Sequence, residues 1–443
     1  MTDAEKKVLD EEVVVESVDV EVGTMEDVDA IMKKFDRESN TRVWEGTPKK
    51  ILRYVLAAFM LFMVYMNLWA TWSGQIRRCL FVGFVILFTF FIYPVKKGNV
   101  KPNSMPWYDI LLAVAGCIPY FYYVANFKRI VAMGIAIGQT EVILGIIGTL
   151  VLAECCRRAV GLPILVVAGC FVLYAFIGRG MSLDLVVYNI FYTTNGIIGT
   201  PISVCSTYIA LFLLFGAFLE ASGCSDFIND IAISLTGKIK SGPALSAVVA
   251  SGLMGSINGS AVATVVGTGT FTIPLMKSRG YKPQFAGGVE AVASTGGQIL
   301  PPVMGSGAFL MVAFTEQKYI AIVIAAVIPA LLYYWGCAVA VMSQTEIGLV
   351  TLMDPKDIPK SREVMKDGWI YLLIIAVLLY CLLVAQYSPL YSALWATCAV
   401  PVVMLFDKKK RFTIKTIPSA MVKSGFSAMS LSLIHISEPT RPY

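Results

Sequence analysis

The chain is poor in the side chains that enzymes use. Its 443 residues hold one histidine, His435, and only 15% of them are charged. Ten cysteines are present, none in a CxxC spacing, and most lie inside apolar runs (Cys79, Cys117, Cys170, Cys337, Cys381, Cys398). Isolated cysteines in apolar surroundings behave as small hydrophobes, so neither a metal site nor a disulfide framework is expected. No GxxxxGK[ST] loop occurs, because Gly237-Lys238 lacks the rest of the motif; nucleotide hydrolysis is excluded on that ground. No apolar stretch near the start is long enough for a secretory signal. Met1–Lys50 is instead charged and acid-rich, and is expected to form a cytoplasmic tail.

What the chain has in excess is hydrocarbon. Apolar side chains make up 57% of it and the mean hydropathy is +0.70, far above a water-soluble composition. Several runs approach or exceed the ~18 apolar residues that span a bilayer, so an all-α polytopic membrane protein is expected. The net charge of +6 comes from Lys and Arg at the ends of these runs, which is a membrane-boundary pattern and no nucleic-acid footprint. Spans are expected at 51–71, 79–95, 107–126 and 141–156, forming one four-helix unit over residues 51–160. Further spans are expected at 161–177, 201–221, 319–342, 369–385 and 391–406 in a second unit, 161–431. The segment 226–240 is amphipathic and is expected along the cytoplasmic interface. Basic loops at Lys96-Lys97-Lys101, Arg157-Arg158, Lys356–Lys366 and Lys408–Arg411 mark the cytoplasmic side.

The second unit is organised around Ser251–Pro302, an apolar stretch with two breaks in its helical pattern. One is Gly255-Ser256-Ile257-Asn258-Gly259-Ser260; the other is Gly296-Gly297-Gln298-Ile299-Leu300-Pro301-Pro302. Non-helical backbone at membrane depth is tolerated only inside protein or beside a watery cavity. A pair of Gly/Pro-interrupted apolar segments is therefore a pointer to a transporter's midplane site. From Pro243 to Gly255 there are 13 residues, roughly 20 Å of helix, too short for a ~30 Å hydrocarbon core. With Lys238 and Lys240 before it and Lys277, Arg279 and Lys282 after it, 243–276 is expected to be a re-entrant hairpin. Residues 283–316 are too long for one straight span and are expected to form a broken helix.

These residues carry a resemblance. SGLMGSINGSAVATVVGTGTFTIPLMKSRGY followed by FAGGVEAVASTGGQILPPVMG is similar to the large membrane subunit of the tripartite ATP-independent periplasmic (TRAP) transporters. The Glu- and Gly-Gly-Gln-containing second motif resembles the TAXI branch, in which small and large membrane subunits are commonly fused. The resemblance implies half of an inverted-repeat, elevator-type transporter in the bacterial inner membrane. It further implies Na+ as coupling ion, a carboxylate solute, and a periplasmic TAXI-type solute-binding protein as partner; no cofactor is implied. The ending LSLIHISEPTRPY resembles translated sequencing-adapter read-through, so residues 432–443 are expected to be a non-native tail on a fragment that does not transport by itself.

Candidate site residues follow from both readings. Ser256, Asn258, Gly259, Ser260 and Thr264 at the hairpin tip offer the hard oxygens that sodium prefers. Thr295, Gly297, Gln298, Pro301 and Pro302 mark the second break, whose freed carbonyls could complete a cation site. Glu290 is an acid inside an apolar span, which is a functional hypothesis by default; Glu220 lies at a span edge. Small-residue helix packing and a structural kink are the competing explanations for the two breaks. A channel or a membrane-embedded enzyme are the alternative functions, and the latter lacks convergent acids, bases and metal ligands.

Overall fold

The computed structural model describes residues 42, 44–95, 103–347, 350–407, 412–413 and 416–437, the stretch 430–437 by its backbone alone. The acidic tail expected up to Lys50 lies outside the described residues as far as position 41. So do the basic residues Lys96, Lys97, Lys101 and Lys408–Arg411 and the tail beyond 437.

All regular structure among the described residues is helical. In chain order the helices are α1 (Gly46–Leu68), α2 (Gly74–Ile92), α3 (Trp107–Ala125), α4 (Phe127–Met133), α5 (Gln139–Ala159) and α6 (Leu162–Ile177). There follow α7 (Leu183–Tyr192), α8 (Thr200–Ala221), α9 (Cys224–Thr236), α10 (Gly242–Asn258) and α11 (Ala261–Ser278). The last are α12 (Pro283–Gly296), α13 (Ser306–Thr315), α14 (Tyr319–Ile347), α15 (Ser361–Val384), α16 (Pro389–Met404) and α17 (Thr416–Ser437). Six of them, α1, α2, α3, α8, α14 and α15, are long and apolar enough to cross a bilayer. The molecule is thus an all-α polytopic membrane protein. α1 begins at Gly46, five residues before the expected span, and α7 lies between the expected spans 161–177 and 201–221.

The burial pattern is that of a protein whose solvent is lipid. No side chain of α6 is buried, and Leu162, Val166, Phe171, Leu173 and Ile177 all point outward. α14 likewise exposes Ile324, Ile328, Leu331, Leu332 and Trp335. In water such faces would be liabilities; against acyl chains they are the expected surface. Close helix approach comes from glycine. A Cβ on Gly116 of α3 would lie 2.5 Å from Val151 of α5 and 2.8 Å from Ile86 of α2, so these three helices meet at a position that tolerates only hydrogen.

A polar clamp holds the same three helices at one end. Asp109, in the first turn of α3, is fully buried between the guanidinium groups of Arg42 and Arg158, the latter at 2.8 Å. Arg158 also reaches Glu154 at 2.8 Å and stacks 4.6 Å above the Phe90 ring. α17 runs beside α1 and α8, where Gly425 lets it approach Met60, and Lys423 pairs with Glu220. Glu220 is thereby accounted for by a charge pair. The amphipathic α9 buries Phe227, Ile228, Ala232 and Ile233, and Phe227 stacks on Tyr371 of α15 at 5.5 Å.

Candidate functional site

The two breaks found in the sequence meet in space. The first is shorter than expected: α10 stays helical through Asn258, and only Gly259 and Ser260 depart from it. Gly259 takes the left-handed conformation (φ +64°) and its N–H donates to Gly255 O at 2.8 Å, a glycine C-cap. Ser260 then caps α11, its Oγ accepting from Ala263 N at 3.3 Å. Asn258 Oδ1 ties the turn together, accepting from Ser260 N (2.9 Å) and from Thr264 Oγ1 (3.0 Å). Because Ser260 N–H can only donate, the Asn258 amide is oriented by it, and its Nδ2 is left buried without a hydrogen-bond partner. Ser256 is the exception among the predicted tip residues, since its hydroxyl turns back to Leu253 O at 2.8 Å.

The second break runs from Gly297 to Gly305, three residues further than expected, before α13 begins at Ser306. It wraps the hairpin tip. Val303 N donates to Ser256 O at 3.0 Å, and a Cβ on Gly259 would fall 2.0 Å from Met304 O. Within the break, Gly305 N donates to Gln298 O at 2.7 Å, and the Tyr319 hydroxyl sits 2.8 Å from Pro302 O and 2.6 Å from Val303 O. The Pro301–Pro302 peptide is cis. Several carbonyls freed by the break are therefore already occupied. Thr295 and the Gln298 side chain do not join the contact: the Thr295 hydroxyl donates to Ala291 O at 2.8 Å, and both residues are exposed.

Glu290 is placed where the hairpin and α12 join, and it is completely buried. Its carboxyl is ringed by hydroxyls from three helices. Ser251 of α10 lies 2.8 Å from Oε1, Thr268 of α11 2.5 Å from Oε1, and Thr272 of α11 2.5 Å from Oε2. Ser294 of α12 completes the ring at 3.3 Å. Gly269 permits the approach, its would-be Cβ lying 3.0 Å from Glu290 Cγ. Sequence reasoning missed Ser251, Thr268, Thr272 and Ser294. The signal was there: Thr264, Thr268 and Thr272 recur every four residues, which puts them on one helix face. Ser294 stands one turn beyond Glu290. Among the described residues, no three His, Cys, Asp or Glu side chains converge on one point.

In this α-helical membrane protein the two interrupted helical elements are docked on each other, with a buried acid beside the contact. Residues 147–438 match the family model of the "Tripartite ATP-independent periplasmic transporter, DctM component", two thirds of the chain, and the chain belongs to that family. It is 35% identical over 127 residues to the C4-dicarboxylate TRAP transporter large permease protein DctM of Pseudomonas aeruginosa, covering 28% of this chain and 29% of that protein. It is 29% identical over 175 residues to the isethionate TRAP transporter permease protein DctMQ of Oleidesulfovibrio alaskensis, covering 39% and 26%. Over 134 residues it is 31% identical to the sialic acid TRAP transporter large permease protein SiaM of Vibrio cholerae, covering 30% of each. The aligned stretches thus span about a third or less of these relatives.

Proposed function

We propose that the chain is the permease of a sodium-driven carrier for a carboxylate solute that a TAXI-type periplasmic binding protein delivers. The observation that carries this reading is the seating of the hairpin tip on the second break, Gly255 against Gly297 and Ser256 O against Val303 N. Broken helices in contact at membrane depth are how inverted-repeat transporters build their midplane site. On this reading α10–α11 is a re-entrant hairpin, α12–α13 is a broken helix, and the two belong to one half of an elevator-type inverted repeat. Asn258 Oδ1, Thr264 Oγ1 and the Ser260 carbonyl are the hard oxygens grouped at the tip, and the buried Asn258 Nδ2 is a donor suited to a carboxylate. The TAXI assignment rests on the VEAVASTGGQILPP motif with Glu290 and Gln298. The names of the relatives carry several different solutes, and C4-dicarboxylate is the first to try.

The test is accumulation of a labelled C4-dicarboxylate by the intact transporter in proteoliposomes, with binding protein and an inward sodium gradient supplied. Uptake against the solute gradient that stops when a sodium ionophore is added is the expected result. Equilibration without accumulation would indicate a channel, and accumulation indifferent to sodium would overturn the coupling ion.

A further inference from the structure

We infer that the groove between α1 and α17 binds the headgroup of an anionic phospholipid of the cytoplasmic leaflet. The site is separate from the hairpin and from the transported solute. Its walls are Arg53 of α1 with Ser419, Val422, Lys423, Phe426 and Ser427 of α17. They enclose about 360 Å³, the size of a small-ligand site. The first support is charge. Two cations line the groove and no acid does, while Glu220 of α8 pairs with Lys423 and neutralises one of them. Arg53 is exposed and has no ion pair among the described residues. A guanidinium left over in this way suits a phosphodiester, which its parallel N–H groups can hold in a fork.

The second support is the make-up of the walls. Ser419 Oγ donates to Thr416 O at 2.7 Å, but the Ser427 hydroxyl has no hydrogen-bond partner among the described residues. A helical serine can satisfy itself on a carbonyl of the preceding turn; this one is left to donate to an ester or phosphate oxygen. Val422 and Phe426 alternate with the polar groups along α17, both half-buried, and Phe426 rests on Tyr93 with ring centroids 6.4 Å apart. Apolar surface interleaved with cations fits an amphiphile, whereas a free phosphate ion would gain nothing from it.

The third support is depth. Arg53 and Lys423 each stand seven residues after the first residue of their helix, roughly 10 Å along it at ~1.5 Å per residue. Both helices start from the end marked as cytoplasmic by Lys49-Lys50 and Lys408–Arg411. The polar layer of a bilayer is about 5–7 Å deep on each side, so both cations sit near the level where headgroup phosphates meet acyl chains. Basic pockets between helices at that level and on that side select anionic lipids. A lipid held there bridges α1 and α17 beside Gly425, whose would-be Cβ lies 3.2 Å from Met60 Cγ. It thus fastens the two helices that this glycine lets approach.

The full chain in a neutral detergent tests this, titrated with phosphatidylglycerol or with phosphatidylcholine while native mass spectrometry counts the bound lipid. Phosphatidylglycerol should bind the more tightly, and should raise the unfolding midpoint where phosphatidylcholine does not. Arg53→Gln should weaken phosphatidylglycerol binding by about fivefold, the worth of one basic side chain at an anionic surface. It should leave phosphatidylcholine binding as it was. Because Arg53 is exposed, the substitution leaves the packing of α1 intact. Arg53→Lys, which keeps the charge, should retain most of the affinity. Lys360→Gln removes the same charge from an exposed position at the start of α15 and should leave phosphatidylglycerol binding unchanged. No preference for phosphatidylglycerol, or equal losses in Arg53→Gln and Lys360→Gln, overturns the site. Displacement of phosphatidylglycerol by millimolar inorganic phosphate overturns the lipid as its occupant.

Discussion

Gly255 of α10 and Gly297 at the end of α12 lie back to back with no room for a side chain on either. A Cβ on Gly255 would sit 2.5 Å from the Gly297 Cα, and one on Gly297 would sit 2.5 Å from the Gly255 Cα. Neither contact can be relieved by rotating a side chain, because both partners are backbone. This pair fixes the distance between the hairpin tip and the broken helix, and through it the Ser256–Val303 hydrogen bond.

Gly297→Ala should therefore push the two elements apart and destabilise the protein by about 1–3 kcal/mol, the usual cost of overpacking. It should also weaken stabilisation by sodium. Gly287→Ala is the control, because nothing lies within 4 Å of a Cβ there and the residue is in α12, the helix that leads into the break. That substitution should be neutral or stabilising by roughly 0.5–1 kcal/mol through helix propensity. Thermal unfolding of the detergent-purified variants, with and without sodium, reads both. Equal effects of the two alanines would remove the special status of the Gly255–Gly297 contact.

A second prediction concerns the path of the hairpin through the membrane. Lys240 precedes α10 and Lys282 follows α11, and both are exposed. Cysteines placed at these positions should both react with a membrane-impermeant reagent from the cytoplasmic side alone. Labelling from opposite sides would make α10–α11 a single crossing.

The spans were legible in the sequence because apolar run length and flanking charge report directly on a bilayer. α3, α8 and α14 begin within a residue of the expected positions, whereas α6, also expected as a span, is 16 residues long and is not among the six helices long enough to cross. The two breaks were legible for a related reason, since Gly-Ser-Ile-Asn-Gly-Ser and Gly-Gly-Gln-Ile-Leu-Pro-Pro are poor helix in an apolar context. Their extents were not. Nothing local says that Ser256–Asn258 stays helical, or that the second break runs on to Gly305, because the tip and the break shape each other by docking. Single side chains divided in the same way. Asn258 and Glu290 stood out as polar groups in apolar runs, and the structure gives both several partners. Gln298 stood out equally, yet what it contributes is its backbone carbonyl. The clamp at Asp109 was invisible because its partners Arg42 and Arg158 are 67 and 49 residues away.

That clamp gives a third prediction. Asp109 is buried between two guanidiniums, so Asp109→Ala removes the carboxylate that separates them and leaves Arg158 with Glu154 alone. Removing one partner of a buried ion pair costs about 3–5 kcal/mol. The variant should unfold or be degraded at growth temperature, while Glu363→Ala, whose partner Lys360 is exposed, should change stability by less than about 1 kcal/mol. Yield and unfolding midpoint of the two variants measure this. Similar midpoints would show that lipid or water compensates the guanidiniums.

The last prediction separates the two amides. Asn258 closes the tip through Oδ1, holding Ser260 N and Thr264 Oγ1, so Asn258→Ala removes two hydrogen bonds and loosens the oxygens grouped there. At about 0.5–1.5 kcal/mol for each bond, the sodium concentration giving half-maximal stabilisation should rise roughly tenfold or more. The Gln298 side chain is exposed, and its structured atom is the carbonyl that accepts from Gly305 N. Gln298→Ala keeps that carbonyl and should shift the same midpoint by less than about threefold, under 1 kcal/mol. Thr264→Val tests the logic from the other side, because it deletes one Asn258 contact and keeps the side-chain shape; it should fall between the two. Sodium titrations of thermal stability on the three variants rank them directly. A larger effect at Gln298 than at Asn258 would move the cation from the hairpin tip to the face of the broken helix on which the Gln298 side chain projects.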